Sequence, residues 1–302
     1  MTLDRRRFLA ISAAALALPG VAAAQPLFTW QGVALGARAT IRLAHRDAGA
    51  ITRRAAAEID RLEDIFSLFR PDSALSRLNA AGHLDAPPFE LLECLSLAGA
   101  VHTASNGRFD PTIQPLWAAH AEAGAAGRLP DARLLRALPV GWSGVSLQPD
   151  TITLNPGMAL TLNGIAQGYI ADRVARLLSA EGLGEILIDT GELRALGGHP
   201  GGGAWPVRLA AGGGQVALRE RALATSAPLG TTFDAAGQSG HILDPRTRRP
   251  APTHWRGISV SAPSAALADA VSTAACLMRT RPQIEAFCQS FNATRLVAAI
   301  PA

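Results

Sequence analysis

The apolar residues of this chain recur with two different periods, and the order in which those periods come restricts the fold more than any other feature. From residue 48 to 68, Ile51, Ala55, Ile59, Leu62, Ile65 and Phe66 return at helical spacing, which predicts a long amphipathic helix. Arg70-Pro71-Asp72-Ser73 stops it. Short helices are expected over 73–79 and 90–105, the second ended by Asn106-Gly107. Strand-like alternation marks 28–43 around Gly32 and Gly36, then 145–148 and 151–154 as a hairpin about Pro149-Asp150. Further strands are expected at 186–189, 207–210, 215–218, 223–226 and 258–261, with helices over 168–180 and 265–278. The alanine- and glycine-rich stretch 118–139 reads as a surface excursion and 197–203 as a glycine-rich turn. Because these elements come in runs and do not strictly alternate, the expected class is α+β.

A length of 302 residues suits one large domain or two intimately packed ones. The first 24 residues stand apart. Asp4-Arg5-Arg6-Arg7-Phe8-Leu9 leads into an apolar stretch from Ala10 to Val21, and Ala22-Ala23-Ala24 precede Gln25. A charged start, an apolar run too short to span a bilayer and a small-residue end are the parts of a secretory signal; the paired arginines before x-Phe-Leu resemble the twin-arginine type. The alternative is an apolar N-terminal helix. The signal reading predicts export of a folded protein to the periplasm, with residues 25–302 as one domain that does not cross the membrane.

Composition closes several routes. All 28 basic residues are arginine, so chemistry that needs a lysine amine, such as a Schiff base or a Walker-type phosphate lysine, is excluded. Any phosphate must be met by arginine, backbone N–H groups or a metal. The net charge of +4 is half carried by the first 24 residues, and the remainder has no basic run beyond 246–249, which removes the main support for nucleic-acid binding. The seven histidines are scattered and the three cysteines, Cys94, Cys276 and Cys288, form no Cys-x-x-Cys, so no zinc cluster is expected. Cys276 and Cys288 could pair, although buried free thiols are the commoner outcome in such apolar patterns.

Three polar groups interrupt apolar elements. Thr161-Leu-Asn-Gly164-Ile-Ala-Gln167-Gly168-Tyr169 reads as a strand running through two glycines into a helix, a place where backbone can approach a phosphate; the other reading is a glycine turn used for packing. His241 and Asp244, three apart before Pro245, could act as base and orienting carboxylate, or Asp244 could simply form an Asx turn. Asp269 and Thr273 are four apart on a helix among alanines, a spacing of oxygen donors that suits Mg²⁺. The plain alternative has Asp269 favouring the helix dipole and Thr273 bonding back to a carbonyl.

In order along the chain, these groups resemble the ApbE family, the FAD:protein FMN transferases. The resemblance runs through Leu35-Gly36-Ala37, then Phe69-Arg70-Pro71-Asp72-Ser73 with Ser76-Arg77-Leu78-Asn79, then Gly107-Arg108-Phe109-Asp110-Pro111-Thr112. It continues through Gly164-Ile165-Ala166-Gln167-Gly168-Tyr169 with Asp172, and Ile188-Asp189-Thr190-Gly191-Glu192. Ala224-Thr225-Ser226, His241-Ile242-Leu243-Asp244-Pro245 and Ala268-Asp269-Ala270 with Ser272-Thr273 complete it. Each motif is short, and the specificity lies in their shared order. The Asn163-Gly-Ile-Ala-Gln-Gly-Tyr variant behind a twin-arginine leader is similar to the NosX branch, which serves nitrous oxide reduction.

The resemblance implies a fold of antiparallel sheets flanked by helices and an enzyme that splits FAD at its pyrophosphate. FMN would be esterified to a Thr or Ser hydroxyl of an acceptor flavoprotein, here a membrane-anchored, NosR-like protein, and AMP would leave. It implies Mg²⁺, or Mn²⁺ in its place, held by Asp269, Thr273 and the Gly164 carbonyl; His241 as the base with Asp244 positioning its loop; and FAD contacts from Leu35, Phe69, Arg108, Phe109, Asp110, Thr161, Gly164 and Gln167. Three positions depart from the family pattern: Thr161 replaces a common aspartate, Gln167 a common lysine and Leu35 a methionine. The paired loss at 161 and 167 keeps the local charge balance, with the two side chains expected to face each other. Glu192 stands where asparagine or aspartate is frequent. Two other functions share the same residues, a non-catalytic FAD-binding or delivery protein and an FAD pyrophosphatase that releases FMN to water.

Overall fold

The computed structural model describes residues 25–302; the leader expected over residues 1–24 lies outside them. The alternation at 28–43 folds into a hairpin of β1 (Phe28–Ala34) and β2 (Ala37–Leu43), paired from Phe28–Leu43 to Ala34–Ala37. Its turn residues Leu35 and Gly36 both have positive φ, 48° and 81°, the conformation by which a two-residue turn matches strand twist. Next come α1 (Ala48–Phe66), α2 (Ala74–Ala81), β3 (His83–Asp85), α3 (Phe89–Ala104), α4 (Gln114–Ala125) and α5 (Ala132–Ala137). β4 (Val145–Leu147), β5 (Thr151–Leu154), α6 (Ala166–Ala180), β6 (Ile186–Asp189), β7 (Leu193–Leu196), β8 (Trp205–Arg208), β9 (Gln215–Leu218) and β10 (Ala222–Ser226) follow. The chain closes with β11 (Leu243–Asp244), β12 (Arg249–Pro250), β13 (Trp255–Ala262), α7 (Ala265–Ala275), α8 (Arg281–Gln289) and β14 (Arg295–Pro301).

Seven strands form one sheet in the order β1-β2-β6-β7-β10-β13-β14, and every neighbouring pair is antiparallel. Helices α1, α6 and α7 bury their apolar faces against one side of it: Leu62, Ile170, Val174 and Val271 meet Ile41, Ile188, Ile258 and Val260 in one continuous core. The β8–β9 hairpin covers part of the other side through Trp205, Val207 and Leu218. The class is therefore α+β with an antiparallel sheet, as the elements' order and the resemblance imply.

Two contacts fix where α7 begins. Asp172 on α6 accepts from the N–H groups of Ala265 and Ala266, both at 2.9 Å, and Ser264 caps the same turn at Leu267 N. Gly168 lets the helices come this close, since a Cβ there would lie 2.3 Å from the Ala265 carbonyl oxygen.

The structure departs from expectation at several points. The 118–139 stretch lies mostly at the surface but is not irregular: α4 and α5 occupy most of it and bury His120, Ala123 and Leu135. Alanine is the strongest helix former, and Asp131 caps α5 through Arg133 N and Leu134 N. No strand runs through 161–162, because Thr161 N–H donates to Pro111 O at 2.8 Å instead of entering a ladder. β7, β14 and α8 carry no expectation from periodicity, although a Thr280/Gln283 capping box starts α8. Cys94, Cys276 and Cys288 are all buried and free. Among the described residues no helix is long and apolar enough to cross a membrane.

Candidate active site

A cleft of about 640 Å³, within the usual range for small-molecule sites, opens beside the C-terminal end of β10. Leu35, Phe69, Arg108, Phe109, Asp110, Thr161, Gly164, Gln167, His241, Asp269 and Thr273 all line it. Residues far apart in sequence are brought together here by the hairpin turn, the start of α6, the middle of α7 and the 227–242 loop.

α7 supplies the floor. Asp269 is 4% exposed, and its Oδ2 is buried with no hydrogen-bond partner. Burial pushes its carboxyl up to about 8, against a bond from Gly168 N–H, so a charged Asp269 calls for a cation beside it. Gly164 lies against Thr273, since a Cβ there would come 3.1 Å from Thr273 Oγ1 and 3.3 Å from the Phe109 ring. An orphaned carboxylate oxygen, a hydroxyl and a glycine backbone form an oxygen donor set that fits Mg²⁺ or Mn²⁺. Glu192 adds a second acid: burial, then nearby Asp269, drives its carboxyl well above the ordinary range, and its Oε2 accepts from Thr225 N–H at 3.2 Å.

The hairpin wall is tied to the corner after α1. Leu35 N–H donates to Glu63 Oε1 at 2.7 Å, and Arg70 holds the other Glu63 oxygen at 2.6 Å. That linkage places the Leu35 turn near Phe69, which is 82% exposed and offers a free aromatic face. Opposite, Asp110 Oδ1 caps the turn after it, accepting from Thr112 N–H and Thr112 Oγ1 at 2.9 and 2.6 Å. Arg108 donates to Ser105 O at 2.9 Å, while its buried Nε has no partner. Desolvation and nearby Arg246 lower the Arg108 pKa, which marks a spot where an anion would be welcome.

His241 Nδ1 lies 3.0 Å from Thr231 O. A carbonyl only accepts, so Nδ1 carries the proton and Nε2 keeps the lone pair of a neutral ring. Burial lowers the His241 pKa, which favours that neutral form. Asp244 does not line the cleft. Burial works to raise its pKa, but its bonds to Arg246, from N at 3.0 Å and from Nε and Nη2 at 2.9 and 2.7 Å, outweigh that and hold it low. It acts as the Asx turn after the His241 segment, consistent with positioning the loop.

Gln167 and Thr161 both line the cleft, yet no hydrogen bond joins them. A Cβ at Gly191 would come 2.8 Å from Gln167 Oε1, which places the amide against that glycine. Glu192, Thr225, Ser226, Asn163 and Thr231 also line the cleft without a role assigned from sequence. Thr225 and Ser226 sit in a motif that was legible; nothing in composition or spacing reveals the burial of Glu192.

The profile of the ApbE family matches residues 35–297. The chain is 32% identical over 248 residues to an FAD:protein FMN transferase of Chlamydia pneumoniae, covering 76% of this chain and 77% of that protein. The apo flavinyl transferase ApbE of Pseudomonas stutzeri superposes with a TM-score of 0.77 at 24% identity, covering 91% of this chain and 94% of that one. The ApbE protein of Thermotoga maritima reaches a TM-score of 0.81 at 22% identity, over 92% and 97% of the two chains. With its fold, its ordered motifs and a profile match spanning most of its length, this chain belongs to the ApbE family.

Proposed function

We propose that this protein is a divalent-cation-dependent FAD:protein FMN transferase that moves FMN to a Thr or Ser hydroxyl of an acceptor flavoprotein and releases AMP. The observation that carries the reading is the cleft floor, where Asp269 holds a buried, unpartnered carboxylate oxygen in the cleft that Thr273, Gly164 and a neutral His241 also line. Asp269, Thr273 and the Gly164 backbone would hold Mg²⁺, whose charge offsets that of the FAD pyrophosphate. Phe69 covers a ring of FAD, and Arg108 with its unused Nε faces phosphate, in a chain with no lysine to do so. His241 Nε2 takes the proton of the acceptor hydroxyl. That oxygen bonds to the FMN-side phosphorus as the bridging P–O bond breaks, and AMP departs with the bridging oxygen.

The twin-arginine-type leader supports transfer in the periplasm, residues 25–302 acting as one unit on an exported, membrane-anchored acceptor. The NosX-like variant favours an acceptor of the nitrous oxide system. Pure protein mixed with FAD, Mg²⁺ and a candidate acceptor carrying a threonine motif is expected to give a UV-fluorescent covalent band and one AMP per transfer. Free FMN without acceptor would instead identify an FAD pyrophosphatase, and FAD binding without turnover a delivery protein. Asp269→Ala with wild-type activity would remove the metal from the mechanism.

A further inference from the structure

β10 ends at Ser226, whose Oγ lies 2.6 Å from Ser272 Oγ and 3.2 Å from Thr273 Oγ1. Ser272 Oγ in turn lies 3.0 Å from the main-chain oxygen of Asp269. Three hydroxyls and one carbonyl form a closed set, and the carbonyl can only accept. A single arrangement of protons satisfies every contact: Ser272 donates to Asp269 O, Ser226 donates to Ser272, and Thr273 donates to Ser226. The Thr273 proton is then committed to Ser226, and an oxygen lone pair is left free for a ligand in the cleft.

This order is not what a helical threonine does by default. A threonine inside a helix commonly turns its hydroxyl back onto the carbonyl four residues earlier. For Thr273 that carbonyl belongs to Asp269, and Ser272 already occupies it. We propose that Ser272 and Ser226 are positioning residues that fix the direction of the Thr273 hydroxyl and so present its lone pair for coordination. The inference rests on the cation site of the proposed function and adds two residues that act through Thr273. It also gives Ser226 a reason to sit buried at the end of a strand, where its neighbour Thr225 holds Glu192.

The test is Mn²⁺ titration of the FAD-free protein, read by electron paramagnetic resonance of the free ion, with a melting curve for each variant. Ser226→Ala removes the acceptor of the Thr273 proton and is expected to weaken Mn²⁺ binding about tenfold. Ser272→Ala frees the Asp269 carbonyl to recapture that proton, and a similar weakening is expected. Ser226→Thr keeps a hydroxyl and restores affinity. Ser226→Cys keeps the volume with a poor acceptor, so it reports the same loss if the alanine variant does not fold. A purely structural role would lower melting temperatures and leave the affinity of folded protein unchanged, which overturns the proposal. Asp269→Ala separates the two levels. If it abolishes Mn²⁺ binding while the serine variants bind like wild type, the relay fails and the site stands; if it binds like wild type, the site itself fails.

Discussion

At the scale of single residues, His241 and Leu35 show opposite ways of preparing a group for work. Burial holds His241 neutral against the Thr231 and Pro228 carbonyls, which favour the charged ring, and Thr231 O fixes the proton on Nδ1. Its lowered pKa means that the base is lost only when pH falls through a value below the ordinary histidine range, so the acid limb of kcat/KM is expected there and is read from a pH profile. His241→Ala is expected to keep FAD affinity and lose about 10²–10⁴-fold in transfer, measured by equilibrium titration beside the fluorescent-band assay. Leu35 instead carries strain, a branched-chain residue at φ 48° in a turn that prefers asparagine or glycine. Leu35→Asn is therefore expected to stabilise the protein by about 0.5–1 kcal/mol in urea unfolding while weakening FAD binding. Asp269 and Thr273 were legible because an i,i+4 pair shares a helix face whatever the tertiary fold. The duty of Asp244 was not, since the same Asp-Pro-Arg pattern serves catalysis or a turn equally well, and only its bonds to Arg246 decide.

At the scale of elements, the α6–α7 clamp positions the chemistry. α7 carries Asp269 and Thr273, and its first turn hangs on Asp172 of α6 across the gap that Gly168 leaves. Gly168→Ala is expected to cost about 1–3 kcal/mol through overpacking, because the obstacle is backbone and cannot swing aside. Asp172→Ala leaves two helix N–H groups without their carboxylate and is expected to cost about 1–3 kcal/mol. Both are read as a shifted urea midpoint at constant slope. Cooperative unfolding at the wild-type midpoint for either would remove the clamp from the account. The long periodic elements, α1, α6 and α7, were readable because each buries a full stripe. α4 was not, since an alanine-rich helix signals through propensity rather than pattern, and β14, an edge strand, carries a continuous apolar run from Leu296 to Ile300 without alternation.

For the whole molecule, the cleft exists only because the hairpin turn, the start of α6, the middle of α7 and the 227–242 loop meet at one end of the sheet's strands. A ligand that binds this arrangement and not the unfolded chain must stabilise all of it. With Mg²⁺ present, FAD at a hundredfold over its Kd is expected to add about 2.7 kcal/mol, seen as a raised melting temperature. Asp269→Ala is expected to abolish the part of that rise which depends on the metal. An unchanged melting temperature in wild type with saturating FAD would mean that the cleft does not bind it.

The sequence by itself determined the class of fold, through its blocks of helical and strand period, and named Asp269, Thr273 and His241 as candidates, through short motifs whose local spacing survives any packing. It also determined that arginine, backbone or metal must meet phosphate, because lysine is absent. Tertiary structure alone decided that Asp269 keeps a buried oxygen without a partner, that Glu192 joins it, that Gln167 rests on Gly191, and that the hydroxyls of Ser226, Ser272 and Thr273 meet. The reason is physical. Periodicity and spacing are properties of neighbours along the chain, whereas desolvation and hydrogen-bond direction depend on groups that meet only after the sheet has closed over its helices.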